Sequence, residues 1–311
     1  MFDGIDVLTL PVASLLRLQT LYVQGLGFTV ERDELLADPL WQRLWALPER
    51  PRRAVLLSKQ GSEGGWIRLV EVPGLPPANP AGRPNRDGPY ALDFYVRNAD
   101  AVEARVGALG WAFRSAPQHY LLPGTRTPVR ERMLEQLDSG LLHAIVEYRP
   151  GQTRCVLGLS TQQDVSEVVA AVFFTRQIDR ADAFAQEVLG ARRYFSGRFE
   201  GPAVQRMLGL TPGEGFQTVL FRGPTSRNAR LEFAETIPDD PDGARSAGQD
   251  PVPRVIAGCG VDDLTALAEV LAGGEHGVST GVLEFADGRP RLGLSSRCGA
   301  VFEFWQRESS P

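Results

Sequence analysis

The chain has 311 residues, a length that at roughly 150 residues per domain favours two domains. Hydrophobic residues make up 43% of it and charged residues 23%, which excludes a disordered or coiled-coil chain. The formal net charge of -5 is spread without runs of one sign, so we expect no nucleic-acid partner and no membrane partner. No signal-like N-terminus and no bilayer-length apolar stretch is present, which predicts a cytoplasmic protein.

Residues 3–72 predict one unit with the order strand, helix, strand, strand, strand. An apolar run of strand length starts at Ile5, and apolar residues at helical spacing follow it. Gly27 suits the left-handed conformation that ends a helix, and Phe28 starts the next strand. Further strands are predicted at 53–58 and 66–72.

Residues 34–53 predict an additional short helix inside this unit. After an Asp-Pro start, its apolar residues at helical spacing are Leu40, Trp41, Leu44, Trp45 and Leu47. A counterpart at 201–210 contains Met207 before a Leu-Gly stop.

The pattern of the first unit recurs along the chain. Ile5 to Gly27 aligns without a gap with Val168 to Gly190, and a weaker pair aligns 90–110 with 255–274. Closing strands are predicted at 141–148 and 300–306. The four units are 3–72, 90–149, 166–236 and 254–307, and they are joined by segments at 73–89, 149–163 and 237–253.

The residue inventory argues against several common chemistries. Cys155, Cys259 and Cys298 are widely separated and contain no CxxC, so neither a disulfide framework nor a zinc ribbon is predicted. The only lysine, Lys59, falls in a predicted polar turn, which is a poor place for imine chemistry. The phosphate-loop, dinucleotide, hydrolase-elbow and zinc-protease motifs are also missing from the sequence.

Four tandem βαβββ modules with strand-helix-Leu-Gly openings and a GAVFEFW closing segment resemble the vicinal oxygen chelate superfamily. That family includes glyoxalase I, bleomycin-binding proteins and type I extradiol dioxygenases. The resemblance implies an α+β fold in which pairs of modules curl into half-barrels around a cavity. It predicts an N-terminal domain at 1–150 and a C-terminal domain at 151–311, each made of two consecutive modules.

The resemblance also implies a divalent metal held by His or Gln in first strands and by Glu in last strands. Those first-strand positions fall on Val7, Ala170, and about Ala91 and Ile256, none of which can bind a metal. The last-strand positions are Arg68, Glu232 and Glu303, whereas in module two Ala144, His143 or Glu147 could each occupy the slot. His119 and His276 lie in segments predicted to be loops. We therefore expect no metal and no other cofactor, with bound iron, zinc or nickel as the disfavoured alternative.

Glu303 and Glu232 are the candidate catalytic residues. The resemblance predicts that both project into one apolar pocket of the C-terminal domain, beside Ala170 and Ile256. Apolar walls raise a carboxyl pKa, so such a group can act as a general base on a C–H next to a carbonyl. The alternative is a structural ion pair with an arginine such as Arg230 or Arg254.

The remaining candidates are substrate-binding residues. Arg68 offers a guanidinium to a carboxylate or phenolate, unless strand register turns it outward. His143 is either a proton donor or a core residue. Because the stretches at 34–53 and 201–210 often cover the cavity mouth in the family, Trp41, Trp45 and Met207 are candidate pocket or lid residues, with simple packing as the alternative.

The sequence thus predicts a metal-independent isomerase, epimerase or lyase acting on a small carbonyl-bearing or aromatic metabolite. Two alternatives remain open: a non-catalytic small-molecule-binding protein like the bleomycin-binding members, and a metal-dependent dioxygenase or glyoxalase whose ligands are misaligned. The expected partner is a small molecule, and a monomer and a homodimer both fit the pattern.

Overall fold

The computed structural model of the chain describes residues 2–78, 84, 86–136, 138–150, 155–225, 229–237 and 252–307. Most of the predicted joint at 237–253 therefore lies outside the described residues. The strands are β1 (Val7–Val12), β2 (Thr29–Leu35), β3 (Arg53–Ser58), β4 (Trp66–Glu71), β5 (Gly88–Val96), β6 (Gln118–Leu121), β7 (Pro128–Gln136), β8 (Leu141–Glu147), β9 (Val165–Phe174), β10 (Arg192–Glu200), β11 (Gly215–Arg222), β12 (Arg230–Ile237), β13 (Ile256–Val261), β14 (Gly277–Glu284), β15 (Pro290–Ser296) and β16 (Val301–Gln306).

The helices are short and mostly follow the first strand of each module. They are α1 (Leu16–Thr20), α2 (Leu40–Leu44), α3 (Ala99–Ala108), α4 (Val156–Leu159), α5 (Ile178–Ala183), α6 (Pro202–Leu208) and α7 (Leu264–Ala272). One π-helical turn extends α1 and another extends α5. Gly27 and Gly190 both have positive φ angles, 71° and 65°, where these helices end, as the Leu-Gly signal predicts. Within the described residues, no helix combines the length and apolarity needed to cross a membrane.

The strands form two eight-stranded sheets. The first sheet has the order β14-β15-β16-β13-β1-β4-β3-β2, so it joins the strands of modules one and four. The second has the order β10-β11-β12-β9-β5-β8-β7-β6 and joins modules two and three. Each sheet has its two first strands antiparallel at the centre, β1 with β13 and β5 with β9. The α+β fold of four βαβββ modules in two curved sheets is confirmed.

The predicted pairing of consecutive modules is wrong at the level of the sheets. Hydrogen bonding joins the outer modules in one sheet and the inner modules in the other, rather than module one with two and module three with four. The periodicity of the sequence identifies each strand but carries no information about its partner strand, which is set by long-range backbone hydrogen bonds. The division of the chain into domains at residue 150 stays a prediction.

One hydrophobic core lies against the helix-covered faces of both sheets. It joins apolar residues of the strands with those of α1, α3, α5 and α7, for example Leu18, Val102, Ala181 and Leu267. The opposite faces carry three smaller apolar clusters, one on the first sheet and two on the second. On these opposite faces, the second sheet bounds a cavity and the first sheet is packed with side chains.

Two local expectations need correction. Lys59 lies not in a solvated turn but in the core, where only 1% of it is exposed, and its Nζ donates hydrogen bonds to the carbonyl oxygens of Leu26 and, at 3.0 Å, Gly27. Burial lowers its pKa to about 8. His119 lies on β6 rather than in a loop, because residues 118–121 pair with β7, and its side chain is exposed.

Candidate functional site

The face of the second sheet that points away from the core bounds a cavity of about 810 Å³. Its floor is formed by central strands of the sheet, and α6 supplies Met207 and Leu208 to its wall. A cavity of this volume is in the range that encloses a small organic molecule. A second, smaller cavity of about 270 Å³ lies beside Arg193 and Gln217.

Three carboxyl groups line the cavity from three strands: Asp93 on β5, Glu131 on β7 and Glu232 on β12. Glu131 accepts a hydrogen bond from the Tyr120 hydroxyl through Oε2. Glu232 accepts one from Thr218 Oγ1 at 2.7 Å through Oε1. Asp93 accepts no hydrogen bond and forms no ion pair with any described residue. Each of the three therefore has at least one oxygen without a protein partner in the described part of the chain.

The same three carboxyl groups hold their protons more tightly than free carboxyl groups do. Burial raises the pKa of Glu131 to about 7, and the neighbouring Glu232 charge adds to the effect. Burial also raises the pKa of Asp93, again with contributions from Glu232 and Glu131, and the pKa of Glu232. Desolvation and mutual repulsion both penalise the ionised form, so the cluster retains protons near neutral pH.

The cavity contains one buried guanidinium, that of Arg230. It donates hydrogen bonds to the Tyr194 hydroxyl at 2.7 Å, the Val169 carbonyl at 2.9 Å and the Tyr95 hydroxyl at 3.3 Å. Its charge lowers the pKa of Asp93 and Glu232, but within the described residues it forms no ion pair with either. Arg230 is thus held by neutral oxygens and does not neutralise the carboxyl cluster by direct contact.

Aromatic side chains form much of the cavity wall. Phe199 and Phe216 stack nearly parallel with their ring centroids 4.8 Å apart, and Phe174 contacts Phe216 edge-on at 5.9 Å. Tyr90 packs against Phe174 at 4.9 Å, and Tyr120 against Phe199 at 5.9 Å. The wall therefore presents flat apolar surfaces above an acidic floor.

The corresponding face of the first sheet is filled by the chain's own side chains. Glu303 on β16, 1% exposed, accepts hydrogen bonds from Arg68 and, at 2.9 Å, from Trp45 Nε1. Arg68 on β4 also donates to Thr9 Oγ1 at 2.8 Å. Its guanidinium lies 4.8 Å from the ring centroid of Trp45, which is fully buried.

Further aromatic residues close this first-sheet cluster. Trp41 packs against Trp45 with a centroid distance of 4.6 Å, and against Phe285 at 4.5 Å. Arg291 contacts both Trp41 and Phe285, and its Nε lies 3.7 Å from Glu303 Oε1. Trp41 on α2 and Trp45 directly after it thus lie on the face of the first sheet that corresponds to the cavity face of the second.

The two sheets can be matched residue by residue when β1 is placed on β5 and β13 on β9. In each sheet the module-closing strands pair in parallel with the first strands, so residues opposite one another can be matched across the sheets. The equivalent pairs, with the first-sheet residue named first, are Thr9 and Asp93, Arg68 and Ala144, and Glu303 and Glu232. A methyl group in the second sheet therefore corresponds to the guanidinium of the first.

The residues expected to form one site lie in two places. Glu232 and Met207 line the second-sheet cavity, whereas Glu303, Arg68, Trp41, Trp45 and Ile256 belong to the first-sheet face. The expectation that Glu232 and Glu303 share a pocket is wrong, because their strands belong to different sheets. Ala170 lies in the second sheet, opposite Asp93 on one neighbouring strand and Arg230 on the other.

His143 lies on the other side of the sheet from the cavity. Side chains alternate along a strand, and Ala144, not His143, occupies the cavity face of β8. His143 is fully buried, its Nε2 is 2.8 Å from the Tyr22 hydroxyl, and its ring packs against Phe94. Burial lowers its pKa to about 4, so it is a neutral core residue at physiological pH.

Two of the three cavity carboxyl groups, Asp93 and Glu131, are not among the residues that the sequence pattern predicts. Asp93 is the only charged residue in the apolar strand segment YALDFYV, and Glu131 lies in a strand that was not predicted. A lone carboxyl group inside an otherwise apolar strand is a usable signal, because burying it is costly without a functional or structural reason.

The donor set does not fit the metal site that the resemblance implies. At the positions matched by register, the first sheet offers Thr9, Arg68 and Glu303, and the second offers Asp93, Ala144 and Glu232. Among the described residues, no group of three or more His, Cys, Asp or Glu side chains is placed to hold a metal ion. The side chains of the cavity are therefore considered for proton transfer without a metal ion.

The fold is shared with solved structures of enzymes. A Bacillus subtilis protein provisionally named a dioxygenase matches with a TM-score of 0.64 and 14% identity, covering 99% of this chain and 86% of its own. Glyoxalase I from Zea mays matches with a TM-score of 0.63 and 10% identity, covering 98% of this chain and 92% of its own. No family model and no curated protein matches the sequence. The chain therefore has the four-module vicinal oxygen chelate fold, and at these identities the likeness concerns the fold alone.

Proposed function

We propose that the chain is an isomerase, epimerase or lyase that needs no metal, and that the second-sheet cavity is its active site. The observation that carries the proposal is the cluster of Asp93, Glu131 and Glu232 on the floor of a cavity with mainly apolar walls. A carboxyl group with a pKa near 7, as Glu131 has, both accepts and returns a proton at neutral pH. Glu303 is not assigned a catalytic role, because Arg68 and Trp45 occupy its carboxylate.

The cluster supports proton transfer at a carbon next to a carbonyl group. One ionised carboxylate of the Glu131 and Glu232 pair removes the proton, and the C–H electron pair forms a C=C bond as the carbonyl oxygen becomes anionic. The protonated partner then donates its proton. Delivery to the opposite face of the same carbon epimerises it, and delivery elsewhere in the enol system gives an isomer. Protons and electrons balance without a further reactant.

The position of Tyr120 supports a role for Glu131 in this exchange. Its hydroxyl donates to Glu131 Oε2, and Oε1 has no hydrogen-bond partner among the described residues. Asp93 has no protein partner among the described residues, and burial together with the Glu232 and Glu131 charges raises its pKa, so Asp93 helps the cluster to retain a proton.

The test is proton exchange, which can be detected whatever the final product is. The protein is incubated in D₂O with a panel of small ketones, ketoacids and aldehydes, and loss of the signal from hydrogen next to the carbonyl is followed by proton NMR. We expect exchange above background for at least one compound, and a fall of about 100-fold or more in Glu131→Gln and Glu232→Gln. The control is Glu269→Gln on the exposed face of α7, which should exchange like the wild type.

Binding without turnover is the second candidate function, favoured by the stacked rings of the cavity wall. Compounds that bind in the cavity but exchange no hydrogen would support it and contradict the catalytic proposal. Exchange that depends on stoichiometric bound iron, zinc or nickel would contradict both and point to the dioxygenase or glyoxalase alternative.

A further inference from the structure

Resting on the proposed function of the second-sheet cavity, we propose that its substrate is an organic cation: a flat apolar or aromatic carbonyl compound whose amine or amidine group binds at Asp93, beside the Glu131 and Glu232 pair. This deepens the proposed function by naming the substrate class. It concerns an ammonium-type group and not a metal ion, because no described set of three His, Cys, Asp or Glu side chains is placed to coordinate one.

The carboxyl groups of the floor have no ion-pair partners among the described residues, and their pKa values are raised as a result of burial. Three carboxyl groups face the cavity, and the buried guanidinium there, Arg230, donates its hydrogen bonds to two tyrosine hydroxyls and a backbone carbonyl. Asp93 has neither a hydrogen bond nor an ion pair within the described part of the chain. Glu131 and Glu232, 7% and 8% exposed, each keep one carboxylate oxygen without a described partner. A buried acceptor of this kind is costly unless a donor reaches it.

In the first sheet the chain supplies its own cation. At the equivalent position Arg68 inserts its guanidinium between Glu303 and Thr9, against the face of Trp45. In the second sheet the residue at that position is Ala144, which is too short to place a charge there. The first sheet therefore shows which chemical group satisfies this geometry, and the second sheet leaves its place open to a ligand.

An aromatic wall lies above the carboxyl groups, and such a wall favours a cation with a flat body. Phe174, Phe199 and Phe216 form a continuous ring-lined surface, with Tyr90 and Tyr120 at its sides. Aromatic faces attract cations and stack on flat bodies, as Trp45 and Trp41 do around Arg68. A cationic ligand would stabilise the ionised form of these carboxyl groups, whereas an anionic ligand would oppose their ionisation.

The experiment compares three naphthalenes that differ only in one substituent: aminomethyl, hydroxymethyl and carboxylate. Their dissociation constants for the full-length protein are measured by calorimetry at pH 7.5. We expect the amine to bind about tenfold more tightly than the alcohol, and the carboxylate most weakly. In Asp93→Asn the advantage of the amine over the alcohol should fall by about tenfold, while the affinity of the alcohol stays close to that of the wild type.

Binding of the hydroxymethyl naphthalene shows whether the cavity holds a ligand at all, and its affinity relative to the amine tests the cationic class separately. If the alcohol and the amine bind equally, or the carboxylate binds best, the cavity is a ligand site but the cationic class is wrong. If no naphthalene binds, the cationic inference is overturned, and the proton-exchange experiment decides the proposed function separately. Manganese or zinc binding at one ion per chain, lost in Asp93→Asn, would also overturn the inference in favour of a metal ion. Glu269→Gln serves again as the matched control and should leave all three affinities unchanged.

Discussion

The two sheets are built from the same modules and carry a glutamate at equivalent positions, yet only one of them keeps an open cavity. In the first sheet Glu303 lies in a closed cluster, paired with Arg68 and covered by Trp45. In the second, Glu232 faces a cavity of about 810 Å³ beside two further carboxyl groups. Two features distinguish the sheets. The first sheet is covered by Trp41 and Trp45, and it carries Arg68 where the matched residue of the second sheet is Ala144. The neighbours of a glutamate in this fold therefore determine whether it is held in an ion pair or is available to a ligand.

This comparison also explains why burial alone does not identify the functional carboxyl group. Both glutamates are almost completely removed from water. Burial raises the pKa of Glu232, which lacks an ion-pair partner in the described structure. Glu303 instead accepts hydrogen bonds from a guanidinium and an indole. The partner set distinguishes the two roles.

Removal of the tryptophan that fills the first sheet should have the largest effect. Trp45→Ala deletes a fully buried ring, and we expect a loss of about 3–5 kcal/mol in the free energy of unfolding. If Trp45 is what closes this face, the variant also gains a site for indole. Added indole should then raise the melting temperature of the variant and leave that of the wild type unchanged. A variant that loses stability without responding to indole would show that the face collapses rather than opens.

Neutralising the two matched glutamates should reduce stability by clearly different amounts. Glu303→Gln leaves the Arg68 charge without its partner in a buried cluster, and we expect a loss of about 3 kcal/mol in urea unfolding. Glu232→Gln removes a charge that has no ion-pair partner in the described structure, so the cost should stay below about 1 kcal/mol.

A double variant provides the control for this pair. Arg68→Met combined with Glu303→Gln removes both charges and should recover part of the stability lost in Glu303→Gln alone. Equal losses for Glu232→Gln and Glu303→Gln would contradict the contrast between the two sheets.

Ala144→Arg, which introduces a guanidinium into the second sheet, should have a small effect on stability that depends clearly on pH. The raised pKa of Glu131 costs stability as pH rises from its ordinary value of 4.5 to about 7, because in that range only the unfolded chain releases the proton. Ala144→Arg supplies a positive charge that relieves this cost. Relative to the wild type, its stability should rise by about 1–2 kcal/mol between pH 5 and pH 8 in thermal denaturation.

The titratable and charged groups that line the cavity set this pH dependence together; they are Asp93, Glu131, Glu232, Arg230, Arg149, Tyr90, Tyr95, Tyr120 and Tyr194. Ala144→Met adds comparable bulk without charge and should show no such gain. The same gain in both variants would mean that filling space, not charge, stabilises this face.

Local patterns in the sequence were enough to place many of the strands and the helix ends. The strand predicted at residues 53–58 has the bounds of β3, and the Leu-Gly endings fall on Gly27 and Gly190 with positive φ. Alternation and helical spacing depend on neighbours in the chain, so they can be read without a tertiary structure. Lys59 shows the limit of such patterns, because a polar-looking turn gave no sign that the amine is buried against carbonyl groups that lie far earlier in the sequence.

The sequence by itself determined the module, its fourfold repetition and the identity of Glu232 and Met207 as cavity candidates. Tertiary structure decided which modules share a sheet, which brought Asp93 and Glu131 beside Glu232 and placed Glu303 with Arg68 instead. The physical reason is that a strand's own side-chain pattern is local, whereas its partners are selected by long-range hydrogen bonding and by the faces buried together. An acidic cavity and a closed ion pair can therefore arise from two copies of one motif.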